Sequence, residues 1–186
     1  MDATTMIRDL EATLRRQLAR AKEIGALPAD TLLRRPAPGA WNALEVFEHM
    51  NLSSGVYARG LRKAFAANAA RFAANPVFTP GLIGDFSTRA MLPRPDGRIA
   101  WRMKTLRLFD PPRQHGASAE SITRFIALCA EFLDLLALAR RTDLNRMRVS
   151  SSLGPIIRFK AGDAFRFPIA HQERHFLQIE RLLDRR

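Results

Sequence analysis

Apolar residues recur along this chain at steps of three and four, and no period-two strand pattern competes with them. Ile7, Leu10, Leu14, Leu18 and Ala21 share one helical face, which predicts a first helix over about 4–24. Thr4 or Thr5 can cap its start, and Gly25 fits its end. Pro28, Pro36, Pro38 and Gly39 then rule out a regular helix through Leu27–Asp30 and Arg35–Gly39. A second helix begins after Trp41. Asn42 is a favoured N-cap, and Glu45 three positions on completes a capping-box pattern. This helix runs to about Ala74, ahead of Asn75-Pro76. Val46, Leu52, Ser53, Val56 and Gly60 fall within about 60° of His49 on its wheel, so His49 faces the interior. Trp41 reads as an apolar anchor beside the helix start.

Residues 75–118 are rich in proline and glycine. They predict a long crossover between two bundle neighbours, with a short helix around Leu82–Met91 and an extended or helical piece around Ile99–Leu108. A wall or lid over a site is the second reading of this stretch. Ile122, Phe125, Ile126, Cys129, Phe132, Leu133 and Leu136 mark a third helix, from Ser118 or Ala119 to about Arg141. Cys129 sits within that stripe, so its expected role is packing rather than reactivity. Residues 143–161 form a second connection, broken by Ser150-Ser151-Ser152 and Gly154-Pro155, with Ile156, Ile157 and Phe159 as a short extended piece. A fourth helix spans about Gly162 to Asp184. Pro168 either kinks it or marks its true start. Four single-stripe helices make an all-α four-helix bundle with a long connection between the second and third. The 186 residues fit one domain, residues 1–186.

Composition narrows the function classes. Thirty basic residues against eighteen acidic give a net charge of +12, nearly all from arginine. Such charge attracts nucleic acid, anionic membranes or acidic substrates. The arginines are scattered rather than striped, and no helix-turn-helix, zinc-finger or aromatic platform accompanies them, so nucleic acid is not the expected partner. The single cysteine allows no internal disulfide and suits a reducing compartment. No signal peptide and no membrane-length apolar run is visible, so the expected location is the cytoplasm.

The candidate chemistry lies in the histidines. Of the four in the chain, His171 and His175 are four apart on one helical face, beside Phe165, Gln178, Ile179, Leu182 and Leu183. The residue after the first is Gln172, not the glutamate of the zinc-protease pattern. His49, inward-facing on another helix, makes a third imidazole. Three neutral imidazoles leave coordination positions open, the mark of a catalytic rather than structural metal. Zinc, nickel, manganese and iron all suit such ligands.

The stretch Trp41-Asn42-Ala43-Leu44-Glu45-Val46-Phe47-Glu48-His49 resembles the second-helix motif of the DinB-like (DinB/YfiT) superfamily. Ala170-His171-Gln172-Glu173-Arg174-His175-Phe176-Leu177-Gln178-Ile179 is similar to its last-helix half, and Lys104-Thr105 with Phe109-Asp110-Pro111 to its middle connection. The resemblance implies a four-helix bundle, often a homodimer, in which His49, His171 and His175 hold a divalent metal. It also implies, less specifically, a transferase or isomerase chemistry using low-molecular-weight thiols. Glu45, one turn before His49, is a candidate to orient that histidine or move a proton, with helix capping as its competing role. Gln178 and Tyr57 are candidates to support the ligands. Arg174 and Glu173 are expected at solvent or at a neighbouring subunit. The expected function is therefore a metal-dependent transferase or hydrolase acting on a small molecule. A non-catalytic interaction bundle and a basic nucleic-acid binder are the alternatives.

Overall fold

The structure is a computed structural model that describes residues 1–94, 96–99, 104–114 and 116–184, the side chain of Pro155 excepted. Its long helices are α1 (Ala3–Gly25), α3 (Ala43–Asn68), α5 (Glu120–Ala139) and α6 (Ala161–Leu183). Two shorter helices, α2 (Ala29–Leu33) and α4 (Leu82–Met91), lie in the connections. A hairpin of β1 (Arg148–Ser151) and β2 (Gly154–Lys160) precedes α6. The class is all-α, as the periodicity predicts. In the bundle, α5 and α6 each pack against both α1 and α3. Leu14, Ala21, Phe47, Met50, Leu61, Phe125, Phe132, Leu136, Phe165 and Ile179 form a continuous, fully buried core.

Local chemistry explains where the elements begin and end. Asn42 and Glu45 form the expected capping box: the Asn42 side chain accepts from the Glu45 amide, and the Glu45 carboxylate accepts from the Asn42 amide, both at 2.9 Å. The start of α1 differs from expectation. Asp2, not Thr4 or Thr5, is the cap, accepting from the Thr5 amide at 2.7 Å. Pro28 does not forbid the short α2, because it stands just ahead of the helix, where its missing N–H costs nothing. The α3 helix stops at Asn68, short of Ala74. Asn68 Nδ2 bonds back to the Ala64 carbonyl at 2.9 Å, and the chain beyond is captured by tertiary pairing, with Ala73 bridged to Thr142 and the Asp143 amide donating to Phe72.

The α6 helix runs through Pro168, which lies in its interior rather than at its start. The α4 helix occupies the span expected for it. Of the piece expected over Ile99–Leu108, residues 100–103 lie outside the described ones; a single 3₁₀ turn, Arg107–Phe109, follows. The expected extended piece around Ile156–Phe159 is the second strand of the hairpin. Its partner strand is too short to leave a clear period in the sequence: only Val149 and Ser151 of β1 turn inward.

Close packing fixes the entry to α6. A Cβ on Gly162 would fall 2.4 Å from the ring of the fully buried Phe78. Nearby, Asp163 accepts from the Gly81 amide at 2.7 Å and pairs with Arg166 at 2.8 Å, while Arg166 also grips Asp85 of α4 at 2.7 Å. Desolvation raises the Asp163 carboxyl above its ordinary value, and these partners oppose that rise. Together they tie the crossover to α6. No helix among the described residues is long and apolar enough to cross a membrane.

Candidate metal centre

His49 projects from α3, and His171 and His175 project from α6 one turn apart. The helices meet so that one nitrogen of each imidazole lies within 4.8 Å of the others. The Nε2 atoms of His49 and His171 are 3.3 Å apart, and those of His175 and His171 are 3.0 Å apart. A nitrogen tetrahedron around zinc, with bonds of about 2.0–2.1 Å, has edges of about 3.3–3.4 Å. The donor set therefore fits a small divalent cation.

Two of the three rings are oriented from behind. His49 Nδ1 lies 2.7 Å from the carbonyl oxygen of Phe109, which can only accept, so Nδ1 carries the proton and Nε2 keeps its lone pair. His175 Nδ1 likewise donates to Gln178 Oε1 at 2.9 Å. The ring of Phe167 stacks on His171, nearly parallel at 4°, and Trp41 packs tilted against His49 with ring centres 5.0 Å apart. Burial lowers the basicity of all three imidazoles: His171 falls well below its ordinary value, and His175 is pushed down to about 3. The Arg174 guanidinium adds to the depression at each ring, whereas the Phe109 carbonyl and Asp110 partly offset it at His49. The rings are thus neutral at pH 7, the form that ligates metal.

The cluster opens into a pocket of about 100 Å³. Its floor is the three histidines; Met91, Leu106, Leu153 and Phe167 give it apolar walls, and Ser53, Lys104, Thr105, Ser152 and Arg174 give it polar ones. The long crossover therefore builds one side of the site. The hairpin turn builds another: the Tyr57 hydroxyl meets Ser151 Oγ at 2.9 Å and Ser152 Oγ at 3.0 Å and accepts from the Ser152 amide at 3.1 Å. Tyr57 thereby fixes the turn that carries Ser152 and Leu153 into the pocket.

A family model described as the DinB superfamily matches residues 9–179. The chain belongs to the DinB superfamily. No curated protein and no solved structure matches it. In this DinB-superfamily chain the structure brings His49, His171 and His175 together, with Gln178 behind His175. Glu45 is engaged elsewhere: one carboxylate oxygen takes the Asn42 amide and the other the Arg35 guanidinium at 2.7 Å. Both oxygens serve the helix start, and neither reaches His49. Arg174, expected at solvent or at a neighbouring subunit, is half-buried and lines the histidine pocket. Its neighbour Glu173 is held by Gln17 at 2.7 Å. Cys129 is fully buried, and burial pushes its thiol up to about 12, in keeping with packing.

Residues that sequence alone did not bring forward are Phe109 as an orienting carbonyl and Arg174, Ser152 and Phe167 as pocket walls. A backbone carbonyl leaves no trace in residue type. Arg174 left one: three positions after His171, it lies within about 60° of that histidine on the wheel.

Proposed function

We propose that this DinB-superfamily protein is a divalent-metal-dependent transferase or hydrolase acting on a small molecule, with His49, His171 and His175 as the metal ligands. The observation that carries the reading is the convergence of three neutral Nε2 atoms at 3.0 and 3.3 Å on the floor of a pocket. Convergence without function is disfavoured by the backing of the rings. The Phe109 carbonyl and Gln178 fix two tautomers so that their lone pairs face one point, the arrangement commonly found behind metal-binding histidines. Imidazole ligands admit zinc, nickel, manganese or iron.

When bound, the ion supplies Lewis acidity toward a water or thiol nucleophile; a low-molecular-weight thiol is the co-substrate that the family likeness suggests. The chain supplies the rest. Leu153, Phe167, Met91 and Leu106 narrow the approach and limit water at the histidines. Ser152, held through Tyr57, presents a hydroxyl at the pocket wall. Lys104 and Arg174 give the pocket a positive field that favours a developing anion. Glu45 serves the helix start and Arg35, so in this reading it stabilises α3 and moves no proton.

The test is metal content by mass spectrometry on untagged protein, wild type beside His171→Ala, followed by turnover assays with thiol acceptors and esters. Near-stoichiometric metal that collapses in the variant supports the reading. Wild-type protein that takes up none of zinc, nickel or manganese overturns it.

A further inference from the structure

The histidine pocket continues into a larger groove of about 710 Å³, the two sharing Thr105, Arg174 and His175. Trp41 and Leu182 give the groove apolar surface, and Gln178 and Arg181 give it hydrogen-bonding groups. Among the described residues the cations lining the two cavities are Lys104, Arg174 and Arg181, and none of the described lining residues is a carboxylate. Two acids close in sequence to the lining residues have partners of their own. Asp110, beyond His49, pairs with Arg113 at 2.9 Å, and Glu173 accepts from Gln17. Arg174 stands at the junction, half-buried, with the histidines on one side and the groove on the other. Arg181 gives one N–H to the Gly97 carbonyl at 2.6 Å, and a guanidinium carries five, more than this bond uses.

The geometry points to a substrate that is an elongated anion: its reacting end enters the histidine pocket, and its carboxylate or phosphate lies in the groove on Arg174 and Arg181, with an apolar stem against Trp41 and Leu182. This rests on the metal-centre reading for where the reaction occurs, and it adds the substrate's charge and the residues that select it. Guanidinium groups pair with carboxylate and phosphate by two parallel hydrogen bonds, and in a half-buried groove such pairs outweigh the diffuse attraction of a +12 surface. Arg174 and Arg181 are then specificity-determining residues.

The experiment titrates full-length protein, as purified and after chelation, with 3-phenylpropionate, phenethyl phosphate, neutral 3-phenylpropan-1-ol and cationic 3-phenylpropylamine. Affinity is read by calorimetry, and the site by amide and arginine Nε chemical shifts. At least one of the two anions binds roughly tenfold or more tightly than the alcohol, and shifts centre on Arg174 and Arg181. The better anion identifies the headgroup. Arg181→Met, at an exposed position that leaves the core intact, reduces the anion's advantage several-fold and leaves alcohol binding unchanged. Arg59→Met, on α3 away from both cavities, changes neither. Equal binding of anion and alcohol, a preference for the amine, or an anion effect that survives both Arg174→Met and Arg181→Met overturns the inference. Because the chelated protein is tested alongside, the groove's preference is judged without metal. A protein that binds anions but no metal loses only the metal reading; one that binds metal without anion preference loses only this inference.

Discussion

His49 donates through Nδ1 to the carbonyl oxygen of Phe109 at 2.7 Å, so the α3 imidazole is aimed by a backbone group of the crossover sixty positions away. The same task at His175 falls to a side chain, Gln178, one turn further along its own helix. The first orienting contact survives any substitution at residue 109 that keeps the local backbone. The second depends on one amide, and that difference is testable.

Gln178→Leu removes the acceptor behind His175 and leaves its Nδ1 proton unpaired. Loss of such a partner behind a ligand typically weakens metal binding by roughly 10–100-fold. Gln178→Glu keeps an acceptor and retains affinity. Competition titrations with a chromophoric chelator measure both; equal affinity in wild type and Gln178→Leu would remove Gln178 from the site.

Glu45 separates capping from proton transfer cleanly. Glutamine also completes a capping box, so Glu45→Gln keeps the Asn42 contact and gives up only the charge paired with Arg35. Metal binding and any turnover stay near wild type, and stability falls by less than about 1 kcal/mol. Glu45→Ala keeps the Asn42 cap but removes the acceptor of the buried Asn42 amide, which costs about 1–3 kcal/mol in denaturant unfolding. Abolished turnover in a stable, metal-loaded Glu45→Gln protein would restore a catalytic role.

The metal-free protein is expected to lose stability as pH falls. The site histidines titrate below their ordinary value in the folded chain but near 6.5 when unfolded. Below about pH 6.5 the unfolded chain therefore binds more protons than the folded one. Their contribution is intact above about pH 7 and is lost on acidification, by at most about 1.4 kcal/mol per pH unit for each histidine. Thermal melts of chelated protein from pH 7.5 to 5.5 follow the loss. His175→Leu flattens the slope, and a flat wild-type profile would contradict the burial of the cluster.

Gly162→Ala pits two terms against each other. Alanine gains up to about 1 kcal/mol in helix propensity. Against it, the new methyl falls 2.4 Å from the ring of Phe78, which is itself fully buried. Overpacking of this kind costs about 1–3 kcal/mol, so the variant melts lower than wild type. A higher melting temperature would mean that Phe78 moves freely.

Much of this architecture is legible in residue order, because each long helix buries one stripe and the stripes of α1, α3, α5 and α6 are apolar enough to read. The Asn42–Glu45 cap and the His171–His175 spacing are local signals, and local signals carry over. What does not carry over is set by distant partners. The end of α3 is decided by Phe72 and Ala73 pairing with Asp143 and Thr142, some seventy positions on. The strand β1 offers two inward residues, too few to declare a period. Charge suggests solvent for Arg174, and its position between His171 and His175 on α6 also brings it to the pocket wall.

The placement of the three histidines on α3 and α6 also imposes an order of events. His171 and His175 are neighbours in any isolated helix, but His49 is 122 positions from His171 and joins them only when α6 docks on α3. A nascent or partly folded chain presents two imidazoles, a weak and unselective pair. The third arrives with the finished core, and its proper tautomer with the crossover. If the three histidines hold a metal as proposed, its selection is deferred until the core is complete: what the site accepts, it accepts as a folded molecule.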